Sequence, residues 1–203
     1  MEQIVSAVMD AVRNAGLVEV EVSARHVHLT QSDVEFLFGP GAELKPVRPL
    51  SQPGQFLSEQ RVTLVGPKGS KERTAVLGPV RKATQVELSQ SDCVALGVKA
   101  PLRESGDVAG SGAITIVGPC GTLEIQEGVI VARNHIHVPL DDALKMGLHD
   151  KQKVCVEVLS ERPLIFKDVI VRVSENFRYK MHIDFDEANA ARVSGFTLGQ
   201  IIR

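Results

Sequence analysis

His26 and His28 stand two residues apart in Arg-His-Val-His-Leu, and His135 and His137 stand two apart in Asn-His-Ile-His-Val. In an extended strand, side chains two apart point to the same face, roughly 7 Å from one another along the chain. Two imidazoles so placed converge on one cation, provided that a third ligand arrives from elsewhere. Glu87, His182 and Asp184 occupy similar polar–apolar stretches and are the candidates for that third place. These motifs take up five of the six histidines and contain no cysteine. A set of imidazoles and carboxylates suits Zn²⁺, and at the same ligands Co²⁺, Ni²⁺ or Fe²⁺. Three protein ligands per ion leave coordination positions open, which is the arrangement of a catalytic rather than a structural site.

Two arginines lie close to these motifs. Arg25 directly precedes His26 and, on a regular strand, points to the opposite face, which reads as an ion pair. Arg81 follows a Gly-Pro turn in Leu-Gly-Pro-Val-Arg (77–81), just ahead of Glu87. A guanidinium fixed there is either an oxyanion clamp or a surface salt bridge. His149 lies outside the pattern and reads as a surface-loop residue. Cys93 and Cys155 fall on apolar faces and read as core fillers.

The elements that must position these groups are mostly short strands. Residues 18–22, 62–65, 113–117 and 154–158 have strand patterning, punctuated by Gly and Pro at 39–41, 53–54, 66–67, 78–79 and 118–119. A fourfold repeat aligns 26–29, 85–88, 135–138 and 182–185. Each copy is followed by Asp33, Asp92, Asp142 or Asn189, and then by Gly39, Gly97, Gly147 or Gly195. A strand, a short capped helix and a glycine stop therefore occur four times. The expected fold is mainly β, with two similar β-barrel domains, short inserted helices and an N-terminal helix. The Gly-rich stretch 106–112 predicts a division into 18–108 and 109–203. Residues 1–17 precede the first half, with 2–15 as an amphipathic helix whose stripe is Ile4, Val5, Val8 and Val12. That helix either packs on its own domain or docks onto a partner or shell.

Composition narrows the function classes. The chain has 203 residues, 43% hydrophobic and 24% charged, with a formal net charge of -2. No global positive field recruits nucleic acid, and the absence of Trp leaves little for base stacking. No segment approaches the roughly 20 apolar residues of a membrane-spanning helix. Three widely spaced cysteines suit a reducing, cytoplasmic compartment.

Several longer segments resemble the PduL-type phosphate propanoyltransferases. They are Ser-Ala-Arg-His-Val-His-Leu (23–29), Pro-Leu-Ser-Gln-Pro-Gly-Gln (49–55), Val-Thr-Leu-Val-Gly-Pro-Lys-Gly (62–69), Leu-Gly-Pro-Val-Arg (77–81) and Gln-Val-Glu-Leu-Ser (85–89). Gly-Val-Ile-Val-Ala-Arg-Asn-His-Ile-His (128–137) and Met-His-Ile-Asp-Phe-Asp-Glu-Ala-Asn-Ala (181–190) complete the set. The resemblance implies two β-barrels and a bacterial-microcompartment enzyme. That enzyme interconverts short-chain acyl-CoA plus phosphate with acyl phosphate plus CoA. It further implies two zinc ions, one on His26, His28 and Glu87 and one on His135, His137 and His182. Arg81 matches the family's phosphate-binding arginine, and Ser23 and Asn189 match positions that contact CoA. Gln85 and Asp184 occupy repeat positions without being ligands. A homodimer or higher oligomer is implied, and residues 2–15 are the expected contact with shell or cargo proteins.

Two other readings use the same residues. A dizinc hydrolase of an ester or thioester would release its product without phosphate. A non-catalytic, shell-associated metal-binding module would bind metal and turn nothing over.

Overall fold

The computed structural model describes residues 2–202, with side chains described from Ala7 onward except that of Met9. The chain opens with helix α1 (Glu2–Asn14) and strand β1 (Leu17–Ser23). Next come β2 (His26–His28), α2 (Gln31–Phe38), β3 (Pro46–Pro49), β4 (Phe56–Gly66), β5 (Gly69–Gly78) and β6 (Gln85–Leu88). They are followed by α3 (Gln90–Leu96), β7 (Leu102–Arg103), β8 (Gly112–Val117) and β9 (Thr122–Ala132). The last part comprises β10 (His135–Val138), α4 (Leu140–Met146), β11 (Lys153–Leu159), β12 (Leu164–Val173), β13 (Lys180–Asp184), α5 (Phe185–Ala190) and β14 (Leu198–Ile202). The fold is mainly β with short helices, as the patterning predicts.

The chain forms two compact units. One is Ala24–Arg133, and the other joins the residues up to Ser23 with Asn134 and all that follow. The units therefore part at 23/24 and 133/134, whereas the Gly-rich stretch predicts 108/109. Strand pairing outweighs linker composition here. β1 lies parallel to β13 and antiparallel to β14, so the N-terminal segment completes the C-terminal unit. The stretch 106–112 merely connects β7 to β8 inside the middle unit, where β8 pairs with both β4 and β9.

Each unit closes into a six-stranded ring. In the C-terminal unit the order is β1-β13-β10-β12-β11-β14, with β14 returning to β1. In the middle unit β4, β5, β2, β6, β9 and β8 follow one another, and β8 returns to β4. β3 and β7 extend that ring at β4 and β9. The two rings share one topology. β2, β6, β5, β4, β8 and β9 have the neighbours and senses of β10, β13, β12, β11, β14 and β1.

This equivalence corrects the fourth copy of the repeat. Glu87 is the register partner of His26, and His182 is the register partner of His135. Glu87 and His182 thus occupy the same place, and the fourth copy is Lys180-Met181-His182-Ile183 rather than 182–185. The helix N-caps agree, since Thr30, Ser89, Pro139 and Asp184 each follow directly. The acidic residue of the fourth helix is then Glu187, not Asn189. A shift of two residues keeps every side chain on its own face, so alternation alone does not detect it.

The alternation itself has a simple cause. Val27, Val86, Ile136 and Met181, all fully buried, fill the two hydrophobic cores and turn their polar neighbours to the other face. Leu64 is fully buried in the middle unit's core and is not one of the candidate ligands. Leu64→Ala is expected to cost about 2–5 kcal/mol by emptying a packed volume. Urea unfolding checks this as a lower midpoint with an unchanged slope.

Candidate metal centres

In the middle unit His26 and His28 project from β2 and Glu87 from the adjacent β6. Their candidate ligand atoms all lie within 4.8 Å of one another. The two imidazole rings are 4.9 Å apart and nearly perpendicular. His26 Nδ1 donates to the Ala24 carbonyl at 2.8 Å, which turns Nε2 toward Glu87 Oε2 at 3.4 Å. A carbonyl accepts only, so Nδ1 carries the proton and Nε2 is the atom available to a cation. His28 Nδ1 is buried without a well-formed hydrogen bond, the Leu77 backbone giving the ring at most a weak one. A buried, unsatisfied nitrogen costs about 1–3 kcal/mol and calls for a reason. A cation facing these three side chains supplies one.

Glu87 is aimed by its neighbours. Oε1 accepts hydrogen bonds from Gln85 Nε2 at 2.6 Å and from Ser105 Oγ at 2.7 Å, leaving Oε2 toward the imidazoles. Ser105 Oγ also accepts from Arg81 Nη1 at 3.2 Å, and Gly106 N–H donates to Gln85 Oε1 at 2.7 Å. Burial would raise the carboxyl's pKa, but the adjacent His26 reverses this and holds it below the usual carboxylate range. His26 itself is raised by Glu87 against its own burial. His28 is pushed down to about 2 by burial, with His26 and Arg81 adding to the effect, and stays neutral. Two imidazole nitrogens and one carboxylate oxygen fit a zinc ion.

Beside His28 opens a cleft of about 270 Å³, bounded by the turn at Pro53–Gln55 and by Gly78, Pro79 and Arg81. The Gly78–Pro79 peptide is cis. A Cβ on Gly78 would lie 2.1 Å from the Phe56 ring, so any larger residue at the end of β5 must displace that ring. Arg81 N–H then donates to the Leu29 carbonyl at 2.8 Å, which fixes the arginine's backbone to the end of β2. The guanidinium and a neutral imidazole thus line the same opening.

In the C-terminal unit His135 and His137 project from β10 and His182 from β13. Their ring centroids are 4.6, 4.8 and 5.2 Å apart. Among the described residues, the spacing of ligand atoms picks out His26, His28 and Glu87 as a group that could hold a metal ion. His137 Nδ1 is buried and unpartnered, the same atom in the same ring position as His28 Nδ1. Burial, with His135, His182 and Arg172, pushes His137 down to about 2 and keeps it neutral. The Phe177 ring, 4.1 Å away, covers it.

Ser23 ends β1 opposite Asp184, and Asn189 is exposed on α5. Arg25 is indeed ion-paired, with Asp92 at 3.1 Å. His149 is exposed in the turn after α4. Cys93 is buried, Cys155 half-buried and Cys120 exposed. No helix among the described residues is long and apolar enough to cross a membrane. Sequence reasoning missed Ser105, because a Ser-Gly-Asp stretch reads as linker and carries no periodic signal.

Glu187 was missed through the register shift. Burial pushes its carboxyl up to about 7, from an ordinary 4.5, with Asp184 and Asp186 adding charge repulsion. Between those values the folded chain holds a proton that the unfolded chain has lost. Glu187 therefore makes stability fall as pH rises through this window and has no further effect above it. The stability of wild type relative to Glu187→Gln is expected to decline from about pH 4.5 to about 7 and then level off. Urea titrations at several pH values check it.

Comparison with known proteins adds an independent finding. A family model described as phosphate propanoyltransferase matches residues 19–194. A phosphate propanoyltransferase of Clostridioides difficile is 46% identical over 203 residues, covering 100% of this chain and 97% of its own. One of Listeria monocytogenes is 48% identical over 205 residues, covering 100% and 96%. One of Thermotoga maritima is 52% identical over 184 residues, covering 90% and 88%.

Proposed function

The chain belongs to the phosphate propanoyltransferase family, and on that premise we propose a zinc-dependent transfer of a short acyl group between CoA and inorganic phosphate. Propanoyl and acetyl groups are the expected cargo. Two zinc ions serve the reaction, one held by His26, His28 and Glu87 and one by His135, His137 and His182. The observation that carries this reading is the convergence of His26, His28 and Glu87 beside a cleft that also holds Arg81.

Bound zinc would supply Lewis acidity, polarising a carbonyl oxygen or stabilising a thiolate. The chain's own residues do the rest. Arg81 offers a planar pair of N–H donors to two oxygens of a phosphate dianion and offsets its charge. Ser105, accepting from Arg81 and donating to Glu87, holds both side chains in one orientation. A phosphate oxygen attacks the thioester carbonyl carbon, the carbon–sulfur bond breaks, and CoA leaves as the thiolate. Orientation of the two reactants is the main contribution of the cleft. No acyl-enzyme is formed on this route.

The same membership supports, as part of this proposal, a location. The enzyme works within a cytoplasmic microcompartment, with α1 as the contact to shell or cargo. Arg13 anchors α1 to Asp142 at 3.2 Å while Val8 is exposed, which supports a helix held ready on its own barrel.

Intact mass after mixing with propanoyl-CoA alone is expected to show no added acyl group. With phosphate present, hydroxylamine is expected to trap propanoyl phosphate as the hydroxamate. A stable acyl-enzyme would contradict direct transfer, and free propanoate without hydroxamate would favour the dizinc hydrolase.

A further inference from the structure

The strands that carry the histidines are tied together just outside the histidines themselves. Asn134, immediately before His135, donates from Nδ2 to Glu187 Oε1 at 2.6 Å. The other oxygen, Glu187 Oε2, accepts the Asp184 N–H at 3.0 Å, and Asp184 in turn accepts the Glu187 N–H at 2.9 Å. Asp184 lies two residues beyond His182, and His182 is the register partner of His135. One carboxylate thus joins the start of β10 to the end of β13, across the pair of strands on which His135 and His182 face each other.

The middle unit repeats this device with other side chains. Asp92 occupies the position of Glu187, three residues after its N-cap, and grips Arg25, immediately before His26, at 3.1 and 3.3 Å. Asp33 holds the same position on α2 and accepts from the Thr84 hydroxyl, immediately before Gln85. An amide, a guanidinium and a hydroxyl fill one place in the repeat, each donating to an acid on the helix that follows the partner strand. The position is common to all three, and the residue type is not. The fourth acid, Asp142, is met by Arg13 of α1. A carboxylate needed only for helix capping would take backbone N–H donors alone. These three reach beyond their own helix to the residue that sets where the neighbouring strand begins.

We propose that Asn134 and Glu187 are positioning residues for the His135/His137/His182 cluster, fixing the separation of the imidazoles of β10 and β13. This rests on the reading of those histidines as metal ligands. The pair lets imidazoles on two strands meet one ion without rearrangement. Its loss leaves the imidazoles in place by sequence but loose in separation.

The test is metal binding by the full chain, with Zn²⁺ against a competing chelator and Co²⁺ followed by its visible absorption. Asn134→Ala is expected to weaken one of two metal equivalents about 10–100-fold and leave the other unchanged, as loss of support around a ligand does elsewhere. The Co²⁺ bands of that equivalent are expected to change in intensity and position. Asn134→Thr, which borrows the hydroxyl used at Thr84, is expected to restore much of the affinity. Glu187→Gln, which keeps the side chain's size, is expected to weaken the same equivalent as Asn134→Ala. Wild-type affinity and bands in Asn134→Ala would overturn the proposal. Equal weakening of both equivalents, with a matching fall in melting temperature, would overturn it too, by assigning the pair to stability alone. His137→Ala separates the premise from the inference. If that variant keeps both equivalents, the ligand reading fails and the positioning role fails with it.

Discussion

Arg81→Ala is expected to lower kcat/KM for phosphate by about 10²–10³-fold while leaving metal content unchanged. The size follows from removing one preorganised charged donor aimed at the reacting group. The specificity follows from geometry. Arg81 borders the cleft beside His28, its backbone is bound to Leu29, and its guanidinium donates to Ser105. It contributes no ligand atom, so its loss should not release metal. Arg81→Lys keeps the charge and loses the fork, and should fall between Ala and wild type. Steady-state kinetics with phosphate and propanoyl-CoA varied separately, together with zinc analysis of the same preparations, checks each part. An unchanged KM and kcat for phosphate in Arg81→Ala would remove this residue from the site.

Glu87→Gln is expected to weaken one zinc equivalent by at least about 100-fold, with activity following zinc occupancy. Loss of supporting groups alone commonly costs 10–100-fold in metal affinity, and loss of a ligand's charge should exceed that. Glutamine retains an oxygen for Gln85 Nε2 or Ser105 Oγ, so the local hydrogen bonds are kept in part. Glu87→Ala would be a poorer test. It removes the acceptor shared by Gln85 Nε2 and Ser105 Oγ and the carboxylate facing His26 Nε2, and breaking such a buried set is expected to cost about 3–5 kcal/mol of stability. Chelator competition monitors the zinc, and thermal melting separates loss of metal from loss of fold. Added zinc should restore part of the activity of Glu87→Gln but none of that of Arg81→Ala.

Much of this molecule is legible in the sequence, for identifiable reasons. The His-x-His pairs announce a shared face because a strand repeats every two residues, and the buried Val27 and Ile136 between them confirm the alternation. The two-barrel architecture is visible because each strand–helix unit occurs four times. The same period of two hides the register of the fourth copy. Only the pairing of His135 with His182 and of His26 with Glu87 sets Lys180 in its place, and with it Glu187 in the row of Asp33, Asp92 and Asp142. The division of the chain is not legible, because β1 joins strands more than 150 residues further on. Ser105 is invisible for a similar reason. Its partners, Glu87 and Arg81, reach it through the closure of the ring rather than through any local pattern.

The decisive experiment follows release of CoA thiol from propanoyl-CoA, with phosphate and zinc occupancy varied independently. Release is expected only when both are present, at a rate that rises with zinc bound and saturates with phosphate. Release from zinc-loaded protein without phosphate, or equal release from metal-free protein with phosphate, would contradict it.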